Sequence, residues 1–230
     1  MVRRGLAFLA LVFLASSAAL ADGFIYLSPD KVALEKLLPP PPDAASAAQR
    51  RDMAAVLEIQ ERRSPEQVKR AIADNELSIF RFQDVLGPAF SPERLPVTVE
   101  FFKRVHTDAR LVINASKDAW HRPRPFLVSP EVKPLGEKPR TQWSYPSGTT
   151  IFGSVTAIIL ANMVPERRTQ LFARADEYGA NRVVLGVHYP TDVEASRIAG
   201  TVIAAALLQD AAFMAEFHSA RLELRGALGL

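Results

Sequence analysis

The sequence contains no cysteine, so no disulfide can hold the chain together, and the fold must rest on its core. It also lacks a strong charge bias. The formal charge of +3 falls to +1 once Arg3 and Arg4 at the start are set aside. Such a balance argues against a nucleic-acid binder, which needs a clustered basic surface. Past the N-terminus no apolar run reaches the length of a membrane span; residues 151–164 and 201–208 read instead as buried helices. Strand-like alternation and internal repeats are missing as well. What remains is a helical pattern, and the expectation is an all-α, single-domain helical bundle.

The first residues, MVRRGLAFLALVFLASSAALADG, combine two arginines, a short apolar stretch and the small residues Ala19-Leu20-Ala21. This is the pattern of a secretory signal with cleavage after Ala21, and it predicts a periplasmic protein. Residues 22–42 have little periodicity and end in four prolines, predicting an extended arm over the surface. Residues 43–230 form the helical domain. Helices are expected from residue 43, over 65–75 behind Ser64-Pro65, over 76–86, and over 95–117, where Phe102, Val105, Ala109, Val112 and Ser116 make one stripe. Further helices are expected over 149–163, 166–181 and 192–217, the last opened by a Thr191/Glu194 capping box. Residues 121–143 form a long proline- and arginine-rich loop without regular structure, a length that often marks function.

Three stretches hold polar residues that a core does not need. KDAWHRPRP supplies Lys117, Arg122 and Arg124, the arginines stiffened by following prolines. Guanidinium groups held this way suit bidentate recognition of phosphate oxygens, although a solvated Arg-Pro loop is commoner. In SYPSGTTIFG, Ser147 and Gly148 open a helix at Thr149, where backbone N–H groups and the helix dipole favour an anion. An ordinary N-cap serine would look the same. In NRVVLGVHYPTD, His188 precedes a helix start and Asp192 follows four residues later. A carboxylate there can hold one ring nitrogen and leave the other free as a nucleophile, with Arg182 adding an anion contact. A local cap is the plainer alternative.

Taken together, Lys117-x6-Arg124-Pro125, Pro146-Ser147-Gly148-Thr149 and Asn181-Arg182-x5-His188-x3-Asp192 resemble the three-part signature of the type 2 phosphatidic-acid-phosphatase superfamily, which shares its site with vanadium haloperoxidases. More narrowly, LLPPPPDAASAAQRRD and ELSIFRFQDVLGPAF are similar to bacterial class A non-specific acid phosphatases. The resemblance implies a helical hydrolase of phosphomonoesters that needs no metal or other cofactor. Lys117, Arg124, Ser147, Gly148 and Arg182 would bind the phosphoryl group. His188 would attack phosphorus to give a phosphohistidine, with Asp192 orienting its ring.

Two positions depart from that pattern. Asn181 replaces the family's serine, with a small expected effect. Thr149 replaces the histidine that serves the family as general acid, and a threonine hydroxyl cannot donate a proton near neutral pH. The expected loss is about 10²–10⁴-fold, felt most by alkyl leaving groups. His121 is a candidate substitute donor, although a rim histidine is the favoured reading. His106 and His218 read as surface or packing residues. The expected partners are small phosphomonoesters and inorganic phosphate, with no nucleic acid and no membrane, and a homo-oligomer is left open. A phosphate-binding descendant without turnover is the main alternative, ahead of a vanadium haloperoxidase and a membrane lipid phosphatase.

Overall fold

The computed structural model describes residues 23–28, 30–117 and 119–230, so the signal segment expected at 1–21 lies outside the described residues. Among these residues there are ten α-helices and no strand, only an isolated antiparallel bridge between Pro123 and Trp143. The chain is all-α.

The centre of the fold is α7 (Gly148–Met163), which is apolar on all sides and buried along nearly its whole length. It packs against α8 (Arg168–Val184), α9 (Pro190–Leu207) and α5 (Pro96–Lys117). Small residues allow the closest approaches. A Cβ added at Gly200 of α9 would lie 2.5 Å from the Ser154 Cβ of α7, so only glycine fits that crossing. On α5 the predicted stripe Phe102, Val105, Ala109, Val112 and Ser116 is buried throughout.

Local signals set most helix starts. Ser46 caps α2 (Ala47–Arg62) by accepting the Gln49 amide, and Ser64 with Gln67 forms a capping box for α3 (Pro65–Ala73). Three expectations need correction. The helix predicted over 76–86 is a 3-10 turn, Ile79–Phe82, running into the short α4 (Gln83–Leu86), because the Ser78 hydroxyl caps the Phe80 amide and starts a tight turn there. The helix predicted over 192–217 is two, α9 and α10 (Ala211–Leu228), bent by 96°. Asp210 makes the break by accepting the Ala212 and Phe213 amides, 3.0 Å each. The Thr191/Glu194 box is also replaced. Helix α9 begins at Pro190, Asp192 accepts the Tyr189 amide at 2.9 Å, and the Thr191 hydroxyl bonds Asp52 instead.

The arm is less plain than its composition suggests. It contains one helical turn, α1 (Leu34–Leu37), and buries Tyr26, Leu27, Val32, Leu34 and Leu38. The buried Asp108 carboxylate of α5 accepts the amides of Ile25, Tyr26 and Leu27 at 3.0, 2.6 and 3.0 Å. Farther on, the Tyr145 hydroxyl donates to the Pro39 carbonyl and ties the arm to the loop before α7. Residues 121–143 do wander, but they include the single-turn α6 (Pro125–Val128) and are pinned by Arg124 N–H to Gln142 O and Ser144 N–H to Arg122 O. No single described helix is long and apolar enough to cross a membrane.

Candidate active site

His188 sits in the short connection between α8 and α9. After Val184 the chain turns at Gly186, whose φ of +68° is one that side chains rarely adopt, and a Cβ there would meet Val132 at 3.0 Å. This turn sends His188 inward, where it is 3% exposed. Its Nδ1 lies 3.3 Å from Asp192 Oδ2 and its Nε2 lies 3.0 Å from Arg124 Nη1. Arg124 can only donate, so Nε2 is the accepting nitrogen and Nδ1 carries the proton that faces Asp192. Burial pushes His188 down to about 3, and the Arg124 and Arg182 charges add to the effect, partly opposed by Asp192. The imidazole is therefore neutral above that value, with its Nε2 lone pair unprotonated and accepting from Arg124.

Asp192 is fully buried. Burial alone would raise its pKa, but hydrogen bonding to His188, the Arg122 charge and the Tyr189 amide together lower it. Its second oxygen, Oδ1, accepts from Arg122 Nη1 at 2.5 Å. The Nη2 of Arg122 reaches Asp52 Oδ2 and Gln49 Oε1 of α2, both at 2.6 Å, and its guanidinium lies 4.0 Å over the Tyr189 ring. The plainer expectation for this stretch, a solvated Arg-Pro loop, does not hold for Arg122, and neither does the suggestion that its guanidinium faces phosphate. It lies behind the His188–Asp192 pair, because two buried carboxylates hold it there. Asp52 is 70 residues upstream, and its spacing gave no hint of this role.

On the other side of His188 the charges are positive. Lys117 ends α5, Arg124 precedes α6, and Arg182 lies in the last turn of α8. Burial depresses Lys117 to about 8, with the Arg124 and Arg182 charges adding to it. Arg124 falls to about 10 through burial and Arg182, and Arg182 to about 10 through burial. Cations that depress one another have too little counter-charge nearby and form a ready anion site. Arg124 is aimed by the Thr141 carbonyl at 2.7 Å and the Val187 carbonyl at 2.9 Å. Arg182 gives one Nη to Asn75, and its buried Nε has no partner among the described residues.

Ser147 is the N-cap of α7, and its hydroxyl accepts the Thr150 amide at 3.3 Å. Its own amide donates to Ser196 Oγ, which donates to the Asp192 carbonyl, so the start of α7 is pinned to α9. Gly148 shares a cavity wall with Lys117. Thr149 is half-buried in the first turn, with no side-chain hydrogen bond among the described residues. Asn181 turns away from the cations and donates to Asp74, which also holds Arg174 through two bonds. His121 is exposed and packs edge-on against Trp143 at 4.8 Å, in a different cavity from Lys117 and Gly148. His106 packs on Phe152 at 4.1 Å, and His218 is exposed beside Phe217. Neither touches the cluster.

The chain is similar to several known proteins. The chain is 34% identical over 164 residues to a non-specific acid phosphatase of Salmonella typhimurium, covering 68% of this chain and 66% of that one. It is 36% identical over 138 residues to an acid phosphatase of Zymomonas mobilis, covering 58% and 52%. It thus spans about two thirds of the first relative and about half of the second. A transmembrane PAP2-type phosphatidylglycerolphosphate phosphatase from Bacillus subtilis superposes with a TM-score of 0.48 at 20% identity, over 76% of this chain and 89% of that one. The sequence model described as PAP2 superfamily matches residues 107–213, a span that runs from α5 into α10 and takes in Lys117, Arg124, Ser147, Arg182, His188 and Asp192. With these residues gathered around one buried histidine, the chain belongs to the PAP2 superfamily and, within it, with the non-specific acid phosphatases.

Proposed function

We propose that this protein is an exported acid phosphatase that hydrolyses phosphomonoesters through a phosphohistidine at His188. The observation that supports this most is the polarity of the His188 ring, with Nδ1 facing a buried carboxylate and Nε2 facing a cation-lined space. Pure anion binding does not need an oriented imidazole. The phosphoryl oxygens would be held by Lys117, Arg124 and Arg182, with the Ser147 hydroxyl and the Gly148 amide at the positive end of α7. Charge concentrated on those oxygens is the main demand of phosphoryl transfer, and these cations supply it without a metal.

In the first step the Nε2 lone pair forms a bond to phosphorus as the P–O bond to the leaving group breaks. The ring, now phosphorylated and positive, is stabilised by Asp192. Water then attacks phosphorus on the opposite side from Nε2, and the N–P electrons return to the ring. Inorganic phosphate leaves and the water's proton passes to solvent. The leaving oxygen departs beside Thr149, which cannot protonate it. Aryl oxides leave readily as anions, whereas alkoxides do not, so aryl phosphates are the better substrates.

A leaving-group series run on this protein beside Thr149→His tests the reading. A gain of about 10²–10⁴-fold confined to alkyl phosphates assigns the defect to proton donation. The second reading, an anion binder without turnover, is favoured by Thr149 and by the Arg124 contact that covers Nε2. Phosphate binding with no release of nitrophenol from nitrophenyl phosphate at mildly acid pH would establish it instead.

A further inference from the structure

A cavity of about 520 Å³ opens beside the cation cluster, with Lys117 and Gly148 on its wall. Its floor is apolar, made by Leu77, Ile79, Phe80, Val99, Ile113 and Phe152, and the ring of His106 packs at a tilt against Phe152. No aspartate or glutamate lines it, yet three cations do: Lys103, Arg110 and Lys117. They recur every seven residues along α5, two helical turns apart, so they share one face at intervals of about 10.5 Å. Lys103 has a partial partner in Glu100 at 3.7 Å. Arg110 is exposed and makes no ion pair among the described residues. Apolar walls with a free cation set two turns from the phosphate end describe a molecule that is flat and apolar in the middle and anionic at both ends.

We infer that this cavity receives the leaving group, and that it selects phosphomonoesters with an apolar, aromatic body carrying a second anionic group about 10 Å from the phosphate, read by Arg110. The inference rests on the phosphatase reading for its orientation, because Lys117 and Gly148 mark the phosphate end. Aromatic walls suit an aromatic body through stacking and area burial. The second anion gains a charge-assisted contact at the rim.

Three compounds separate these contributions: phenyl phosphate, biphenyl-4-yl phosphate and 4′-carboxybiphenyl-4-yl phosphate. The distal carboxylate lies too far from the phenolic oxygen to change its leaving ability much, so differences report recognition. The expected order of kcat/KM is phenyl, then biphenyl, then carboxybiphenyl, the last step amounting to about three- to ten-fold and shrinking in high salt. Arg110→Glu should erase that last step and leave phenyl phosphate hydrolysis unchanged. Equal treatment of the two biphenyl esters, or an advantage that survives Arg110→Glu, overturns the inference. Should none of the three be hydrolysed, the phosphatase reading fails by itself. Calorimetric binding of the same compounds then decides the cavity: the same rank order, lost in Arg110→Glu, supports it, and equal affinities overturn it.

Discussion

Arg122 Nη1 lies 2.5 Å from Asp192 Oδ1, and both side chains are almost completely buried. The contact fixes which face of the carboxylate is left for His188. It also extends the pair backwards to α2, since Asp52 holds the other end of the same guanidinium. The His188 ring is thus oriented by a buried chain of alternating charge that runs from Asp52 through Arg122 and Asp192 to the imidazole.

Arg122→Ala should destabilise the fold by about 3–5 kcal/mol, because it leaves two buried carboxylates short of their partner. Arg122→Lys keeps the charge but cannot span both acids as a planar fork, so it should be milder. Denaturant midpoints check the stability. Positioning has its own signature in the folded Lys variant: kcat falls more than KM changes, and the acid limb of the pH profile moves as Asp192 becomes easier to protonate. A variant that loses stability but retains kcat and its pH profile would reduce Arg122 to a structural brace.

The His188 shift predicts a particular acid sensitivity. Its ordinary pKa of 6.5 applies to the unfolded chain, while burial takes the folded value to about 3. Between these values the unfolded state binds a proton that the native state refuses, so stability falls as pH is lowered through that window and is fully present above it. His188→Gln removes this contribution. Denaturant midpoints at pH 7 and pH 4.5 should therefore drop further for the parent protein than for the variant. Parallel drops would contradict the assignment of a buried, neutral imidazole.

Asp108 should govern the arm. Asp108→Ala leaves three amides without their acceptor, at a cost of about 2 kcal/mol or more. Limited proteolysis should show faster cleavage within residues 23–38 in the variant, before the domain itself unfolds. Unchanged cleavage would mean that the buried Tyr26, Leu27 and Leu34 hold the arm by themselves.

Gly200→Ala places a methyl group 2.5 Å from Ser154 Cβ and 3.5 Å from the Ile151 carbonyl. Crowding at the α7–α9 crossing should cost about 1–3 kcal/mol. Adding Ser154→Gly to the same chain should return part of that loss beyond what additive effects allow, and thermal or denaturant unfolding of the cycle measures the coupling.

Much of this was legible in the sequence because it depends on neighbours in the chain. Ser46, Ser64 and Ser147 start helices through amides three residues on, and the α5 stripe needs only its own periodicity. Gly186 and Pro190 bracket His188 within a few residues. The misreadings have a common origin in long-range pairing. The role of Arg122 was hidden because nothing near it in the chain reveals Asp52 or Asp192 as its partners. Asp108 offered a signal: it stands among the buried positions of α5, between Val105 and Ala109, where an acid needs donors from elsewhere. The bend at Asp210 was obscured because apolar residues continue on both sides of it, and a helical pattern does not register a change of axis.

On the proposed function, the 3.0 Å contact between Arg124 and His188 Nε2 would make protons and oxyanions coupled ligands of this protein. A proton on Nε2 would face a guanidinium donor head-on, and the two repel. An oxyanion lying between the two groups reverses that sign, drawing Arg124 to itself and giving Nε2 an acceptor. Uptake of the anion is then linked to uptake of a proton, each tightening the other by the same factor. Acidity would act as a second input to this site, entering through the affinity for the anion as well as through the chemistry that follows.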